Sequence, residues 1–559
     1  MDRNQHYVLG ADFGTDSVRV VIVDAFDGNL VLSRTETYSR WADGAYCDPI
    51  HNQFRQHPLD YIESFRKAVR TLTSTDAYVA SHIKAIGVDT TGSTCALCFA
   101  NGSPLALDSR FANDPDAMFF LWKDHTAVDE AEQINRAFSA WNGPDYRTYS
   151  GTLYSSEWYW AKLLHVLHHS PSLACEAAGF IEHCDWFPAL LTNTNRLESI
   201  KRSRCAAGHK AMWHQTWGGY PSNQFLSQLD TRLVRFSQSL GTETYTADQV
   251  AGLLDARWAA QLGLPNRIPV CVGAFDAHFG AVGGGVAQHV LVKNIGTSTV
   301  DIIVGPKPER GQQEKIVSGF VGQVDGSVIP GFIGYEGGQS AFGDYIAWWR
   351  NMMAWPLTNL GIIENSCMNQ AIDRILPELE KQASIISTTP DSPLALDWIN
   401  GRRMPSADQR LRGALTGFSL GTDAAAVYRA ILESTAFGAR SILDCLSRNG
   451  ITIEKIIAVG GVARKSSLAM QILSDVTGSE IHITDSEQTC AIGAAIYASV
   501  AARLYPHVID AQRVLRAGIS RIYTPQQQRT LVYDSLYEQY QRLGSFEETL
   551  RAIALRTHT

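Results

Sequence analysis

Three short segments of the sequence combine glycine with serine, threonine or aspartate in patterns that suit phosphate chemistry. The first is DFGTDS at residues 12–17, the second is GTS at residues 296–298, and the third is GG at residues 460–461. A tight turn of this composition presents backbone N–H groups and hydroxyls to phosphate oxygens. A carboxylate just before such a turn, here Asp12, can hold Mg²⁺ directly or through water. Two turns of this kind facing each other would grip the phosphates of one nucleotide.

The segments around the first two turns predict the elements that position them. Residues 7–12 and 18–24 are β-rich runs on either side of the first turn, which predicts a hairpin. Residues 291–295 and 299–304 flank the second turn in the same way. The two copies are about 280 residues apart, which indicates two related domains rather than a solenoid. From these segments alone, a chance similarity between two ordinary hairpins is the alternative.

The rest of the chain alternates strands with helices. The third turn follows an apolar run at residues 456–459 and precedes a predicted helix at 466–476. Apolar residues at helical spacing predict a helix over 58–72, and an apolar strand follows at 83–88. The last region is predicted to be helical over residues 527–543. This alternation favours an α/β layered fold.

Composition excludes several classes of protein. The 559 residues contain 48 Lys and Arg against 56 Asp and Glu, a net charge of −8, which argues against binding nucleic acid or an anionic membrane surface. No apolar run reaches the roughly 18 residues that span a bilayer, and residues 1–6 contain no signal-peptide apolar region. Ten cysteines are too sparse for a disulfide framework, and Cys95 and Cys98 are expected to be buried structural thiols. We therefore expect a folded protein of the reducing cytoplasm.

Several familiar nucleotide and metal motifs do not apply. The dipeptide Gly-Lys is absent, which excludes the P-loop, and no H-E-x-x-H is present. Asp12-Phe13-Gly14 spells a protein-kinase motif, but that motif needs a catalytic loop upstream and only eleven residues precede it. The phosphate chemistry must therefore come from the three turns.

With these turns in this order, the chain resembles the FGGY carbohydrate kinases, a family with the actin-like ATPase fold, over nearly its whole length. Residues 413–418 and 430–433 are similar to the family's C-terminal signature, although Ala426 stands where a polar residue is usual. Residues 161–164 resemble the core of the N-terminal signature, with His165 where Trp is common. Further runs are similar to the branch of the family that acts on ketopentoses: 122–127, 154–158, 205–210, 273–278, 322–332, 339–344 and 397–403.

The resemblance implies a fold and a reaction. The fold is a two-domain actin-like ATPase (ribonuclease H-like) of the α/β class, with a cleft between the domains. We expect a sugar-binding domain at residues 1–285, a nucleotide-binding domain at 286–505 and a helical appendage at 506–559. The Gly-rich stretch at 280–285 is suited to a boundary or hinge. The implied reaction transfers the γ-phosphoryl group of ATP, with Mg²⁺, to the terminal hydroxyl of a ketopentose such as ribulose.

The sugar side needs a proton acceptor, because a sugar hydroxyl is a poor nucleophile. By resemblance the acceptor is Asp276, whereas the residues alone fit a helix N-cap equally well. The resemblance also places Lys210 and Glu336 around the sugar, where hydroxyls need neighbouring donors and acceptors. The alternative for both is an ordinary solvated charge. Four more residues are implied in the pocket: Gly92, Ser93, Lys123 and Asp124.

The nucleotide side follows from the three turns and the resemblance. Asp12 is expected to hold Mg²⁺, mostly through water. The residues expected near the γ- and β-phosphates are Gly14, Thr15, Ser17, Gly296, Thr297 and Ser298. Those expected near adenosine or the α-phosphate are Gly460, Gly461, Arg464 and Lys465, and many relatives carry Asn where Lys465 stands.

Two other functions stay open at this level. One is a kinase of the same family that acts on xylulose, ribitol or D-ribulose. The other is an ATPase of this fold that transfers no phosphate to sugar, against which the presence of Asp12, Thr15, Asp276 and Thr297 argues. The resemblance also makes a homodimer plausible, with a small-molecule substrate and neither nucleic acid nor membrane as partner.

Overall fold

Each half of the chain is built around a hairpin of the predicted kind. The computed structural model describes residues 5–308, 316–360 and 364–556, so residues 1–4 of the N-terminal stretch lie outside the described residues. We refer to the elements up to residue 284 as the first lobe and to those from residue 290 onward as the second lobe.

The strands of the first lobe are β1 (Tyr7–Phe13), β2 (Ser17–Asp24), β3 (Leu30–Thr37), β4 (Cys47–Asp48), β5 (Gln53–Gln56), β6 (Ile83–Thr90), β7 (Cys95–Cys98), β8 (Phe119–Phe120), β9 (Gly179–Glu182), β10 (Val250–Leu253), β11 (Pro269–Cys271) and β12 (Ala274–Phe275). Its helices are α1 (Ser39–Ala42), α2 (Pro58–Thr75), α3 (Ala77–Ser81), α4 (Val128–Ala137), α5 (Tyr159–His169), α6 (Pro171–Glu176), α7 (His183–Thr192), α8 (Arg204–Lys210), α9 (Asn223–Leu229), α10 (Leu233–Gln238), α11 (Ala256–Leu262) and α12 (Asp276–Gly284).

The strands of the second lobe are β13 (Val290–Ile295), β14 (Thr299–Pro306), β15 (Val321–Asp325), β16 (Phe332–Gly337), β17 (Leu394–Ala395), β18 (Leu415–Thr416), β19 (Lys455–Val459), β20 (Glu480–Thr484) and β21 (Ile519–Tyr523). Its helices are α13 (Gly343–Asn359), α14 (Asn365–Ser384), α15 (Ala424–Arg448), α16 (Gly461–Lys465), α17 (Ser467–Thr477), α18 (Thr489–Ala501), α19 (Val508–Leu515) and α20 (Gln527–Arg556).

The two large sheets share one pattern. The first has the order β10-β11-β6-β1-β2-β3 with β12 also on β6, and the second has the order β15-β16-β14-β13-β19-β20-β21. In each, the hairpin is antiparallel and its first strand also pairs in parallel with a later strand, β6 in one sheet and β19 in the other. The similarity of the two hairpins is therefore a structural repeat and not a coincidence of sequence.

Helices α12 and α18 pack against each other at the centre of the molecule. A Cβ on Gly283 would lie 1.9 Å from the carbonyl oxygen of Thr489, and one on Gly493 would lie 2.0 Å from that of Phe279. Glycine at these positions lets the two helix backbones touch. The Gly-rich stretch that suggested a hinge is thus a buried helix, ending at Gly285 in a left-handed conformation with φ of 103°. Glycine serves close packing here rather than chain flexibility.

Several smaller predictions can be compared with the structure. Cys95 and Cys98 are buried in β7, as expected for structural thiols. The C-terminal segment contains the predicted helix as α20, but it also contributes β21, which pairs with β20 and extends the second sheet. Among the described residues, none of the helices combines the length and the apolar character needed to cross a membrane.

Candidate active site

The first turn closes the β1–β2 hairpin and is held from outside the hairpin. The N–H of Gly14 donates to the carbonyl of Ser17 at 3.0 Å. The amide of Gln56 donates to the carbonyl of Thr15 at 2.6 Å, and the indole N–H of Trp122 donates to the Thr15 hydroxyl at 3.1 Å. Because the indole occupies an acceptor position, this hydroxyl keeps its own proton to donate to an anion. The turn is therefore held in a form that can bind phosphate oxygens.

The second turn is also closed by a bond from a glycine N–H to a serine carbonyl, here two residues on rather than three, and a helix packs on it. The N–H of Gly296 donates to the carbonyl of Ser298 at 3.0 Å. The N–H groups of Phe342 and Asp344, at the start of α13, donate to the carbonyl of Thr297 at 2.8 and 3.0 Å. The carbonyls of Thr297 and Ser298 thus accept hydrogen bonds from within the protein. Gly296 and Thr297 themselves are exposed on the surface.

The third turn lies beside the second because β13 and β19 are parallel neighbours. Gly460 has φ of 100°, and a Cβ there would lie 2.6 Å from the carbonyl oxygen of Ile295. A side chain at this position would therefore separate the two turns. Gly461 begins α16, which carries Arg464 and Lys465 on its exposed last turn.

Three carboxylates of the first lobe meet at one edge of its sheet. Asp12 lies opposite Asp89 in the parallel pairing of β1 with β6, and Asp89 also lies opposite Ala274 in β12. Asp276 follows β12 directly, as the first residue of α12. The carboxyl ends of these strands thus bring together residues that are far apart in the sequence.

Asp276 has the properties of a proton acceptor that works near neutral pH. Burial and the negative charge of Asp12 raise the pKa of Asp276 to about 7. The hydrogen bond from the Ala277 N–H lowers this pKa by a smaller amount. The helix cap position belongs to Phe275, and the Asp276 carboxylate accepts a 2.6 Å bond from the adjacent Ala277 N–H. The N-cap alternative is therefore wrong, and the side chain is available for chemistry.

Two residues that sequence reasoning missed complete this group. Arg19 lies opposite Asp12 in the hairpin and donates to its carboxylate at 2.9 Å. Asp89 is fully buried, and neither of its carboxylate oxygens accepts a hydrogen bond from any residue that the structure describes. Burial and the charges of Asp12 and Asp276 raise the pKa of Asp89 well above its usual range. The available signal was an aspartate directly after the predicted apolar strand at 83–88.

This donor set fits a magnesium ion. Mg²⁺ prefers carboxylate oxygens and water and is usually bound through one or two carboxylates together with substrate phosphates. Asp12 and Asp89 supply such oxygens beside the first turn, and within the described part of the chain no group donates to the buried oxygens of Asp89. A buried anion of this kind is costly unless a cation compensates it.

Lys210 and Glu336 come from different lobes and form an ion pair. Lys210 ends α8, Glu336 lies in β16, and the ammonium is 2.7 Å from the carboxylate. Burial would raise the pKa of Glu336, but Lys210 and His209 hold it well below its usual range. The ammonium also lies 5.1 Å from the centre of the Trp158 ring. A charged donor and acceptor side by side can bind neighbouring hydroxyls.

Gly92 and Ser93 lie beside the carboxylates. A Cβ on Gly92 would lie 2.0 Å from the Phe275 ring, so glycine allows the loop to approach the residue before Asp276. The Ser93 hydroxyl is buried and donates to Glu182. The backbone of Gly92 therefore lies at the site. The Ser93 hydroxyl instead forms a hydrogen bond with Glu182, inside the first lobe.

Lys123 and Asp124 point in different directions. The ammonium of Lys123 lies over Trp41 and Phe54, 4.9 and 4.7 Å from the ring centres, and is partly exposed. Asp124 is fully buried and forms an ion pair with Arg55, and its two oxygens also accept bonds from Phe54 and Thr126. The expectation of a pocket-lining role for Asp124 therefore needs correction, because its carboxylate is satisfied inside the protein.

These features define a class of protein: a two-lobed α/β molecule of the actin-like ATPase type, with Gly-Thr turns on repeated hairpins and a buried acid beside them. A family model described as "FGGY family of carbohydrate kinases, N-terminal domain" matches residues 7–283, and the C-terminal domain model of that family matches residues 291–502. The chain belongs to the FGGY family of carbohydrate kinases.

The chain is also similar to individual carbohydrate kinases, both in sequence and in solved structures. The chain is 42% identical to a ribulokinase of Vibrio parahaemolyticus, over 98% of this chain and 97% of that protein. It is 34% identical to a ribulokinase of Shouchella clausii, over 97% and 95%. A crystal structure of xylulose kinase from Rhodospirillum rubrum has a TM-score of 0.76 at 19% identity and covers 98% of this chain and all of that one. Plasmodium falciparum glycerol kinase with ADP has a TM-score of 0.73 at 16% identity, covering 96% and 98%. The last two similarities concern the fold.

Proposed function

We propose that this protein is a ribulokinase, which transfers the γ-phosphoryl group of ATP to the 5-hydroxyl of L-ribulose and releases ribulose 5-phosphate and ADP. The observation that carries the proposal is the position of Asp276, a half-buried carboxyl at the start of α12, directly after the strand that pairs with β6 beside Asp89. Its neighbours support this role: Asp12 and Asp89 lie at the ends of the adjacent strands, and His278, two residues further along α12, is 3.7 Å from Glu336. The names of the two ribulokinase relatives support the choice of sugar.

The nucleotide is assigned to the three turns. The phosphates contact backbone N–H groups and hydroxyls of the first two turns, and adenosine lies against the third, where glycine allows close approach. The residues assigned to this role are Gly14, Thr15, Ser17, Gly296, Thr297, Ser298, Gly460, Gly461, Arg464 and Lys465. Asp12, with Asp89 beside it, would hold Mg²⁺, which would supply positive charge to neutralise the phosphates.

The chain's own residues handle the hydroxyl. Lys210 donates to sugar oxygens and Glu336 accepts from hydroxyl protons, which orients the sugar. Asp276 accepts the proton of the reacting hydroxyl as the oxygen attacks phosphorus, which its pKa near 7 permits at neutral pH. Arg19, paired with Asp12, places positive charge beside the first turn.

The proposed domain division is compatible with a cleft that closes on the sugar. We assign sugar binding to residues 1–285, nucleotide binding to 286–505 and a supporting role to 506–559. Approach of the two lobes around the sugar would exclude water from the phosphoryl group, as kinases need. An enzyme that consumes ATP in this way belongs in the cytoplasm.

A substrate panel tests the proposal. ATP consumption, coupled to an ADP-detecting assay with Mg²⁺, is measured with L-ribulose, D-ribulose, xylulose and ribitol. The highest kcat/KM is expected for L-ribulose, with little hydrolysis in the absence of sugar. A preference for xylulose or ribitol would assign another substrate within the family. Equal hydrolysis with and without every sugar would indicate an ATPase that transfers no phosphate to sugar.

A further inference from the structure

Besides Lys210, Glu336 contacts two histidines, His209 and His278, which have no role in the proposed reaction so far. One of its carboxylate oxygens is 2.7 Å from Lys210, and the other is 2.9 Å from Nδ1 of His209. His209 precedes Lys210 on α8, so consecutive residues of one lobe hold the two oxygens of a carboxylate from the other. The carboxylate is therefore fixed in rotation as well as in position.

A second histidine lies behind the first. Nε2 of His278 is 3.4 Å from Nδ1 of His209 and 3.7 Å from the same Glu336 oxygen, and the two rings meet edge to face with centres 4.3 Å apart. His278 lies on α12, two residues after Asp276. The helix that begins with the proposed proton acceptor thus also supports the side chains around Glu336.

Both imidazoles are neutral in this environment. His209 and His278 are 0% and 2% exposed, and burial lowers the pKa of each below its usual range. A neutral imidazole has one N–H to donate, and a carboxylate can only accept. The contact with Glu336 therefore assigns the proton of His209 to Nδ1.

The position of the His209 ring is also set from the second lobe. Gly322 in β15 has φ of 91°, and a Cβ there would lie 2.1 to 2.5 Å from three atoms of the imidazole. Its N–H donates to the carbonyl of Tyr149 at 2.7 Å, which joins β15 to the first lobe. The ring thus lies against bare backbone at the contact between the lobes, where a larger residue would displace it.

We propose that His209 is a positioning residue for the reaction: its Nδ1–H holds Glu336 in the orientation that binds the sugar, and His278 fixes the His209 ring. This inference rests on the proposed function, in which Glu336 accepts hydrogen bonds from sugar hydroxyls. It predicts that loss of the imidazole N–H weakens sugar binding and leaves the nucleotide side intact.

The first experiment compares two substitutions of His209. Asparagine can place an amide N–H near the position of Nδ1, whereas leucine offers no donor. We expect His209→Leu to raise the KM for the sugar by about 10- to 100-fold, the effect of losing a hydrogen bond to a charged group. The KM for ATP should change less than about twofold, and His209→Asn should recover most of the loss.

Matched controls separate positioning from folding. His168→Leu removes another histidine that lies 3.0 Å from a carboxylate, that of Glu130, and should leave the KM for the sugar unchanged. Thermal unfolding is recorded for every variant. If His209→Leu does not fold, His209→Gln replaces it, because glutamine carries its amide near the Nε2 position and should fail where asparagine succeeds.

A double-variant test asks whether His209 acts through Glu336. In a Glu336→Ala background, His209→Leu should raise the KM for the sugar by less than about twofold more. An equal loss in both backgrounds, or a KM for His209→Leu within twofold of the unchanged protein, would overturn the proposal. The sugar used is whichever one of the panel the unchanged protein phosphorylates. Absence of any sugar phosphorylation by that protein would instead count against the proposed function.

Discussion

The two hairpins share a backbone plan but carry their charges differently. In the first, Asp12 is two residues before Gly14 and pairs with Arg19, whose side chain is 41% exposed. In the second, the residue two before Gly296 is the amide Asn294. The cation of this hairpin is Lys293, which binds both oxygens of Asp301 at 2.9 and 3.0 Å with each side chain 1% exposed.

The difference assigns a separate task to each repeat. The first hairpin keeps a carboxylate beside the buried Asp89, so it can share a cation with substrate phosphates. In the second hairpin the carboxylate of Asp301 is held in a buried ion pair, and the proposed phosphate contacts come from the N–H groups and hydroxyls of the turn. The charges therefore favour the first copy for the proposed metal site.

The largest effect is expected for Asp276→Asn, which removes the proposed proton acceptor next to the first hairpin. The kcat should fall by ~10²–10⁴ with the sugar KM nearly unchanged. In the unchanged protein, kcat/KM should fall tenfold per pH unit below about 7, because protonated Asp276 accepts no proton. That acidic limb should be absent from the pH profile of the variant, and near-normal turnover in it would contradict the assignment.

Breaking the buried Lys293–Asp301 ion pair of the second hairpin should affect stability rather than catalysis. Lys293→Met leaves Asp301 buried without its cation, which costs about 3–5 kcal/mol of unfolding free energy. Urea unfolding measures the loss, and turnover per folded molecule should stay within about twofold. Lys293→Met combined with Asp301→Leu should restore much of the stability. If Lys293→Met lowers turnover per folded molecule instead, the ion pair takes part in the reaction.

The sequence predicted the turns and hairpins well because their chemistry is local. Glycine marked the turns, and apolar runs marked the strands, which agree with the structure within one or two residues in the hairpins. Contacts between distant residues were less accessible. The Lys210–Glu336 pair spans 126 positions and depends on how the lobes pack. Family resemblance placed both residues near the sugar, but nothing in the sequence predicted that they pair. Asp89 and Arg19 were missed because each matters through its neighbour across the sheet.

Asp12→Asn would give the first hairpin the residue that the second already has. Removing this carboxylate should lower kcat/KM for ATP by about 100-fold, a loss typical of one electrostatic group at a reacting phosphate. A higher Mg²⁺ concentration should be needed for half-maximal rate. Titration of Mg²⁺ at fixed ATP measures both effects. A variant with an unchanged Mg²⁺ dependence would place the ion elsewhere.

The smallest effect is expected for the reverse change, Asn294→Asp. An added carboxylate beside the second turn repels the triphosphate, so the KM for ATP should rise by roughly 3- to 10-fold with little change in kcat.

The decisive variant combines Asp12→Asn with Asn294→Asp, which exchanges the two residues between the repeats. Because position 12 pairs with Asp89 whereas position 294 pairs with Val459, the exchanged carboxylate faces an apolar residue on the neighbouring strand instead of an acid. The exchange should therefore be at least as impaired as Asp12→Asn, and recovery of activity would mean that either hairpin can hold the ion.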